Sequence, residues 1–269
     1  MQQLVDVTPA HSIIAPDEPA PFEIINPHGD APVILLCDHA SNRIPRSLQQ
    51  LGVNDEVLQQ HVAYDIGSAA VARQLSKLMN ALMMRSNYSR LIIDCNRFPD
   101  DPSSIPTVSD GISIPGNHQL TDEQVAQRAE EIFNPYHEQV SSVIDSKQNA
   151  GIIPVMVSVH SFTPFFAGHE RPWHIGILWG HDGRIAQPLL HRLRRYPHLC
   201  IGDNEPYNAR QPVGYSMIAH GEEPGLPHVL LEIRQDLITD RDGVDHWASF
   251  IHGELKEVLS DPTIFQLAK

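Results

Sequence analysis

The chain has 269 residues, 41% of them apolar, and a net charge of −14 from 33 acidic and 19 basic residues. That balance excludes a basic nucleic-acid footprint and a surface drawn to anionic membranes. It suits a protein that acts on small molecules, with enough apolar residues for a substantial core.

No apolar run approaches the roughly 20 residues of a membrane span. The N-terminus carries no basic stretch followed by an apolar one, so no secretory signal is read there. Cys37 and Cys95 lie inside apolar runs, and Cys200 sits between Leu199 and Ile201. All three are read as buried reduced thiols, which places the chain in the cytoplasm.

Residues 1–30 hold Pro9, Pro16, Pro19, Pro21 and Pro27 and predict an extended arm, with a short strand over 22–25. A first strand is predicted over 33–38 and a short helix over 46–51. The 3.6-residue spacing of Ala69, Ala72, Leu75, Met79 and Leu82 predicts a helix from Ser68 to Met83. A strand is read near 83–86, and the apolar run Arg90–Cys95 is the stronger strand signal. Four prolines between 98 and 120 predict a long irregular segment. Thr121-Asp-Glu-Gln124 fits a capping box for a helix to about Gln148, kinked at Pro135. Strands over 153–159, 174–179, 199–202 and 228–233 follow, with helices over 183–195 and 242–259. Strands alternating with helices predict a single α/β domain, a three-layer sandwich whose mostly parallel mixed central sheet is covered on both faces.

Four apolar runs end in, or carry, chemistry. The first opens into Asp38-His39-Ala-Ser-Asn42, the second into Asn96-Arg97, the third into His160-Ser161, and the fourth carries Glu232 between Leu231 and Ile233. Ligands in open α/β sheets gather at the carboxyl ends of strands. Sixteen histidines make any one of them weak evidence. His39 and His160 stand out because each follows a strand directly. Two histidines and one carboxylate form a common catalytic zinc set. Asp65, before the helix at Ser68, is the preferred carboxylate, and Asp38 is the alternative. An N-cap role is the structural reading of Asp65. Glu232 is either a general base or the buried partner of Arg234. Arg97 either grips a substrate carboxylate or pairs internally with Asp94 or Asp100. Asn42, Asn96, Ser161, Asn204, Asn208 and Tyr215 are the remaining candidates for substrate contact.

As an ordered set, these motifs resemble the N-formylglutamate amidohydrolase family. The carrying residues are the His39 loop through Pro45, Tyr64-Asp65, Leu91-Ile-Ile-Asp94-Cys-Asn96-Arg97, Ser158-Val-His160-Ser161, Gly202-Asp-Asn204-Glu-Pro206 and Leu231-Glu232-Ile-Arg234. The family is similar in fold to zinc carboxypeptidases. The resemblance implies one zinc ion on His39, Asp65 and His160, with Glu232 as base. It implies that Arg97 grips the substrate carboxylate or polarises the scissile carbonyl, and that N-formylglutamate is the substrate. Family members acting on that compound tend to show Pro-His-Ser-Gly where this chain has Asp38-His39-Ala40-Ser41. Carboxypeptidases place a glutamate where this chain has Asn42, so the carboxylate ligand falls to Asp65. The competing expectations are a peptidase or amidase of a larger acylated substrate, and a metal-free binding module of the same fold.

Overall fold

The computed structural model describes residues 12–166, 168–210 and 214–268. Its first strands are β1 (Phe22–Ile25), β2 (Val33–Cys37) and β3 (Leu82–Ser86), with α1 (Asp55–Leu58) and α2 (Ser68–Met79) between β2 and β3. The hairpin of β4 (Val108–Ser109) and β5 (Ile112–Ser113) precedes α3 (Asp122–Arg128) and α4 (Asn134–Asn149). After β6 (Val155–Phe162), a second hairpin pairs β7 (Phe165–Phe166) with β8 (His169–Glu170). The chain closes with β9 (Ile175–Leu178), α5 (Ala186–Leu193), β10 (Ile201–Asp203), α6 (Tyr215–Met217), β11 (His228–Arg234) and α7 (Arg241–Val258).

Seven strands form one sheet in the order β1-β3-β2-β6-β11-β9-β10. The centre, β3-β2-β6-β11, is parallel; β1 joins β3, and β9 joins β11, antiparallel. Every residue of β2 and β6 is buried. Strands covered on both faces read as unbroken apolar runs, and these two do until their ends turn polar. Successive side chains of a strand point to opposite faces. Val155, Val157, Val159, Val229, Leu231 and Ile233 therefore pack with α2, α5 and α7. Met156 and Leu230 face the other way, toward Ile132, Phe133, Tyr136 and Val140 of the α3–α4 segment. The predicted sandwich, with helices on both faces, is the observed one.

Several boundaries differ from the sequence reading. The run Arg90–Cys95 is not a strand. Its amides bond locally instead: Leu91 N donates to Ser89 Oγ, Asn96 N to Asp94 Oδ1, and Arg97 N to Asp94 O. Ser and Asp side chains compete with ladders in this way. Leu91, Ile92 and Ile93 are apolar because they are buried in the core, not because they pair. The strand of this region is β3. The helix expected to Met83 stops at Met79, where Asn80 adopts a left-handed conformation (φ 51°). The long helix expected from 121 opens on the Thr121–Gln124 capping box, then widens into a π-helical turn over Ala129–Phe133 before α4 resumes with Pro135 in its first turn. Residues 46–52 form a 3-10 turn. Of the arm, residues 1–11 lie outside the described residues; the rest packs on the domain through Ile13 and the Ser47–Ile13 hydrogen bond. Cys37 and Cys95 are buried free thiols, but Cys200 is exposed, because it lies just before β10 begins. Among the described residues no helix is long and apolar enough to cross a membrane.

Gly67 fixes the entry to α2. Its φ is +81°, and an added Cβ would lie 2.4 Å from the Ile238 carbonyl oxygen. Gly67→Ala should therefore cost roughly 2–4 kcal/mol, as backbone strain and a clash combine. A wild-type urea midpoint for this variant would overturn that account.

Candidate active site

Parallel pairing of β2, β6 and β11 brings their carboxyl ends to one edge. His39 lies two residues past β2, His160 near the end of β6, and Glu232 directly beside His160 in the β6–β11 register. Asp65 enters from the turn before α2, tethered where its amide donates to the His39 carbonyl (2.9 Å). Its carboxylate does not cap the helix. The N-cap is Gly67, and the Asp65 side chain turns into the site.

His39 Nδ1 and His160 Nδ1 lie 3.3 and 2.8 Å from the same oxygen, Asp65 Oδ2. One ligand atom from each of the three buried residues falls within 4.8 Å of the others. The outward nitrogens are also held. His39 Nε2 lies 2.6 Å from Asp94 Oδ1, and His160 Nε2 lies 3.0 Å from Ser158 Oγ and 3.3 Å from Asp38 Oδ2. Tyr136 donates its hydroxyl to Asp38 Oδ1 (2.7 Å), and Arg90 bridges Asp94 (2.9 Å) and Asp65 (3.3 Å). Metal-binding histidines characteristically place the second ring nitrogen on a carboxylate, which orients the first. Both histidines here have that arrangement, so the donor set fits a divalent metal such as zinc.

Electrostatics follow from burial and pairing. Burial raises the carboxyl pKa of Asp65, but the His39 and His160 imidazoles outweigh it and hold it well below the usual carboxylate range. Asp94 is likewise low, because the Arg90 guanidinium and His39 overcome desolvation. For His160, burial favours the neutral ring, yet its bonds to Asp38 and Asp65 push its pKa up to about 10 in the absence of a metal. Glu232 goes the other way. Burial raises its pKa to about 7, although the neighbouring His160 opposes this. Its Oε2 is buried with no hydrogen-bond partner. Arg234 is not its counterion, since that guanidinium pairs with Asp236 at 2.8 Å. The pairing with Arg234 is thereby removed, and the basic groups that act on Glu232 are His160, His39 and Arg90.

The site opens into a cavity of about 840 Å³ lined by His39, Asp65, His160, Ser161, Glu232, Asn96 and Arg97. Arg97 donates to the Asn96 carbonyl (2.9 Å) and, after Arg90 and His39, which bond to Asp94 directly, also helps hold the Asp94 carboxyl low. Asn96 lines the wall with its Oδ1 accepting from Ser216 N. Ser161 donates to the Ile66 carbonyl. Four expected contacts are not in the cavity lining. Asn42 donates to the Leu58 carbonyl in a separate groove. Asn204 is buried as a bracket, with Oδ1 accepting from Trp179 N and Ala209 N. Asn208 is exposed and caps the amide of Arg210. Tyr215 packs edge-on against Phe98, Phe133 and His137. Sequence reasoning missed Arg90 and Tyr207 as parts of the site; it named Asp38 as an alternative ligand and Asp94 as a partner of Arg97, whereas they lie behind His160 and His39. The i,i+4 spacing of Arg90 and Asp94 was a usable signal; Tyr207 offered none.

A seven-strand, mostly parallel sheet gathers at its carboxyl edge a buried His-Asp-His cluster that could hold a metal ion, with a buried glutamate beside it. The chain matches the N-formylglutamate amidohydrolase family over residues 31–239 and belongs to it. It is a hydrolase of a family acting on amide bonds. A gene product of Agrobacterium tumefaciens is 35% identical, with a TM-score of 0.90 over 92% of this chain and 98% of that one. N-formylglutamate amidohydrolase from Ralstonia eutropha is 18% identical and shares the fold, with a TM-score of 0.60 over 90% and 98%. No curated protein gives a significant match.

Arg90 holds two buried carboxylates at once. Removing it as Arg90→Met should cost about 3–5 kcal/mol, because two charges are left underpaired. Arg90→Lys, which keeps the charge but loses the fork, should fall between the two. Urea unfolding of the three proteins gives the order.

Proposed function

We propose that this protein is a zinc-dependent amidohydrolase that cleaves the amide bond of a small N-acylated amino acid. N-formylglutamate, the compound for which the family is named, is the first substrate to assay. The observation that carries this reading is the placement of Glu232: a buried carboxyl with an unbonded oxygen, in register with His160. His39, Asp65 and His160 would hold the zinc. When bound, zinc supplies a Lewis acid and makes water a better nucleophile near neutral pH.

The chain's own residues divide the remaining work. Glu232 accepts a proton from the attacking water and returns it to the departing amine nitrogen; a pKa near 7 suits both transfers. Asp94 and Asp38 orient His39 and His160 through their Nε2 atoms. Arg97 receives the carboxylate of the amino acid, where a guanidinium gives paired hydrogen bonds. A cavity sunk into the sheet edge favours a single small molecule over an extended peptide.

Metal analysis is the first test. Purified protein should carry about one zinc per chain, and His39→Ala and His160→Ala should each lose it. Metal content unchanged in both variants would remove the site. Glu232→Gln should retain the metal and lose at least about 100-fold in kcat. Full activity in that variant would take Glu232 out of the mechanism. Arg97→Ala should cost about 2–5 kcal/mol in kcat/KM on an N-acyl amino acid, and much less on its amide. Equal loss on both would point to carbonyl polarisation instead.

A further inference from the structure

The cavity does not end at Glu232. Alternate residues of β11 share a face, so Leu230 and His228 continue the wall beyond Glu232, reaching about 13 Å at ~3.3 Å per residue. Leu178 pairs directly with Leu230 across the β9–β11 ladder. Trp179, Met217 and Ile218 close the rest of this inner bay. The bay exists because the α3–α4 segment covers the β2–β6 side of the sheet face, whereas α6 and the turn after it cover β11 and β9.

The bay is apolar and ends at His228 and Glu222, which face each other. His228 Nδ1 lies 2.8 Å from the Leu226 carbonyl, and Nε2 lies 3.3 Å from Glu222 Oε1. Both ring nitrogens are thus turned to protein oxygens. Glu222 in turn accepts from the amide of His181 (2.8 Å). The arginines that line the cavity, Arg90 and Arg97, lie at the reactive end. Arg210 lies over the Trp179 ring, 4.4 Å from its centroid, and is not part of the cavity lining. A carboxylate driven into this bay would be desolvated beside Glu222 without a cation of its own. The outer groove meets the cavity at Arg90, Arg97 and Tyr207. A substrate entering there leaves its carboxylate at the arginines, its amide at Glu232, and its remaining arm in the bay.

From this geometry we infer that the substrate carries an unbranched or lightly branched apolar chain of about four to six carbons on one side of the scissile amide, enough to lie against Leu230, two residues and about 7 Å from Glu232 along the strand. The γ-carboxylate of N-formylglutamate does not fit the bay, and its formyl hydrogen leaves the bay empty. The inference rests on the amidohydrolase reading for its chemistry, but the bay itself is tested separately.

The zinc-loaded protein is assayed on N-formylglutamate, N-formylnorleucine and N-hexanoylglutamate. One of the last two should exceed N-formylglutamate in kcat/KM by at least about tenfold, the low end for filling an apolar pocket. Whichever wins identifies the side chain or the acyl group as the apolar arm. N-formylglutamate performing as well as both would overturn the proposal. If no compound turns over, the function proposed above fails, and binding decides the bay. Trp179 lines it, so the tryptophan fluorescence of Glu232→Gln should shift saturably with N-formylnorleucine or N-hexanoylglutamate, and not with N-formylglutamate at the same concentration. The shift should vanish in Glu232→Gln/Trp179→Phe. A shift of equal size with N-formylglutamate, or none with any compound, would sink the apolar bay.

Discussion

The constraint on which the site depends is the burial of Asp65. A carboxylate removed from water requires compensating charge and hydrogen bonds. Asp65 obtains them from two imidazoles, one guanidinium and the amide of Ser161. Those groups come from three segments of the chain, since His160 and Ser161 are neighbours at the end of β6. Satisfying one oxygen pair therefore fixes the loop after β2, the turn before α2, the end of β6 and the segment after β3 relative to one another. Asp94 and Asp38 extend the same logic outward. Three buried carboxylates surround two histidines and one arginine, so the cluster attracts positive charge. Without a metal it raises the proton affinity of His160; with one, the imidazole must give that proton up, which links metal uptake to pH.

Much of this was legible in the sequence, for a physical reason. A central parallel strand is apolar throughout, so the point where it ends is marked by an abrupt change of composition. His39 and His160 were found from that change, Glu232 as a carboxylate inside an apolar run, and the sheet brings the three to one edge. Asp65 was less secure, because an acid before a helix usually caps it; the left-handed Gly67 takes the cap position and frees the carboxylate. The run Arg90–Cys95 misled because burial and strand pairing leave the same apolar signature over six residues. Only the flanking Ser89 and Asp94, which bond to nearby amides, distinguish the two. Asn42, Asn204, Asn208 and Tyr215 were chosen for polarity near a motif. Each serves loop or packing geometry, a role that composition does not separate from ligand contact.

The two faces of the sheet are used unequally. On one, α2, α5 and α7 close over the valines and leucines of β6 and β11 and leave no access. On the other, α4 shields the left half of the sheet as far as β6, and shorter segments roof the remainder. Catalytic clusters need rigid support on one side and an entrance on the other, and this asymmetry provides both. The irregular stretch after Arg97 contributes to the entrance, since Ser103, Pro106 and Val108 line the outer groove. Within that stretch the prolines and the short β4–β5 hairpin, where Val108 pairs with Ser113, give the wall its shape.

In the proposed function, reaction and recognition would share a single strand. His228, Leu230 and Glu232 occupy alternating positions of β11, while Val229, Leu231 and Ile233 fill the opposite core. Inserting or deleting one residue in this strand would exchange the two sets, sending the glutamate into hydrocarbon and aliphatic side chains into the cavity. Length variation, the usual route by which loops acquire new ligands, is closed to this part of the molecule. Diversification among relatives must instead proceed by replacing residue 228 or 230 in place, which retunes what the cavity accepts while Glu232 keeps its position.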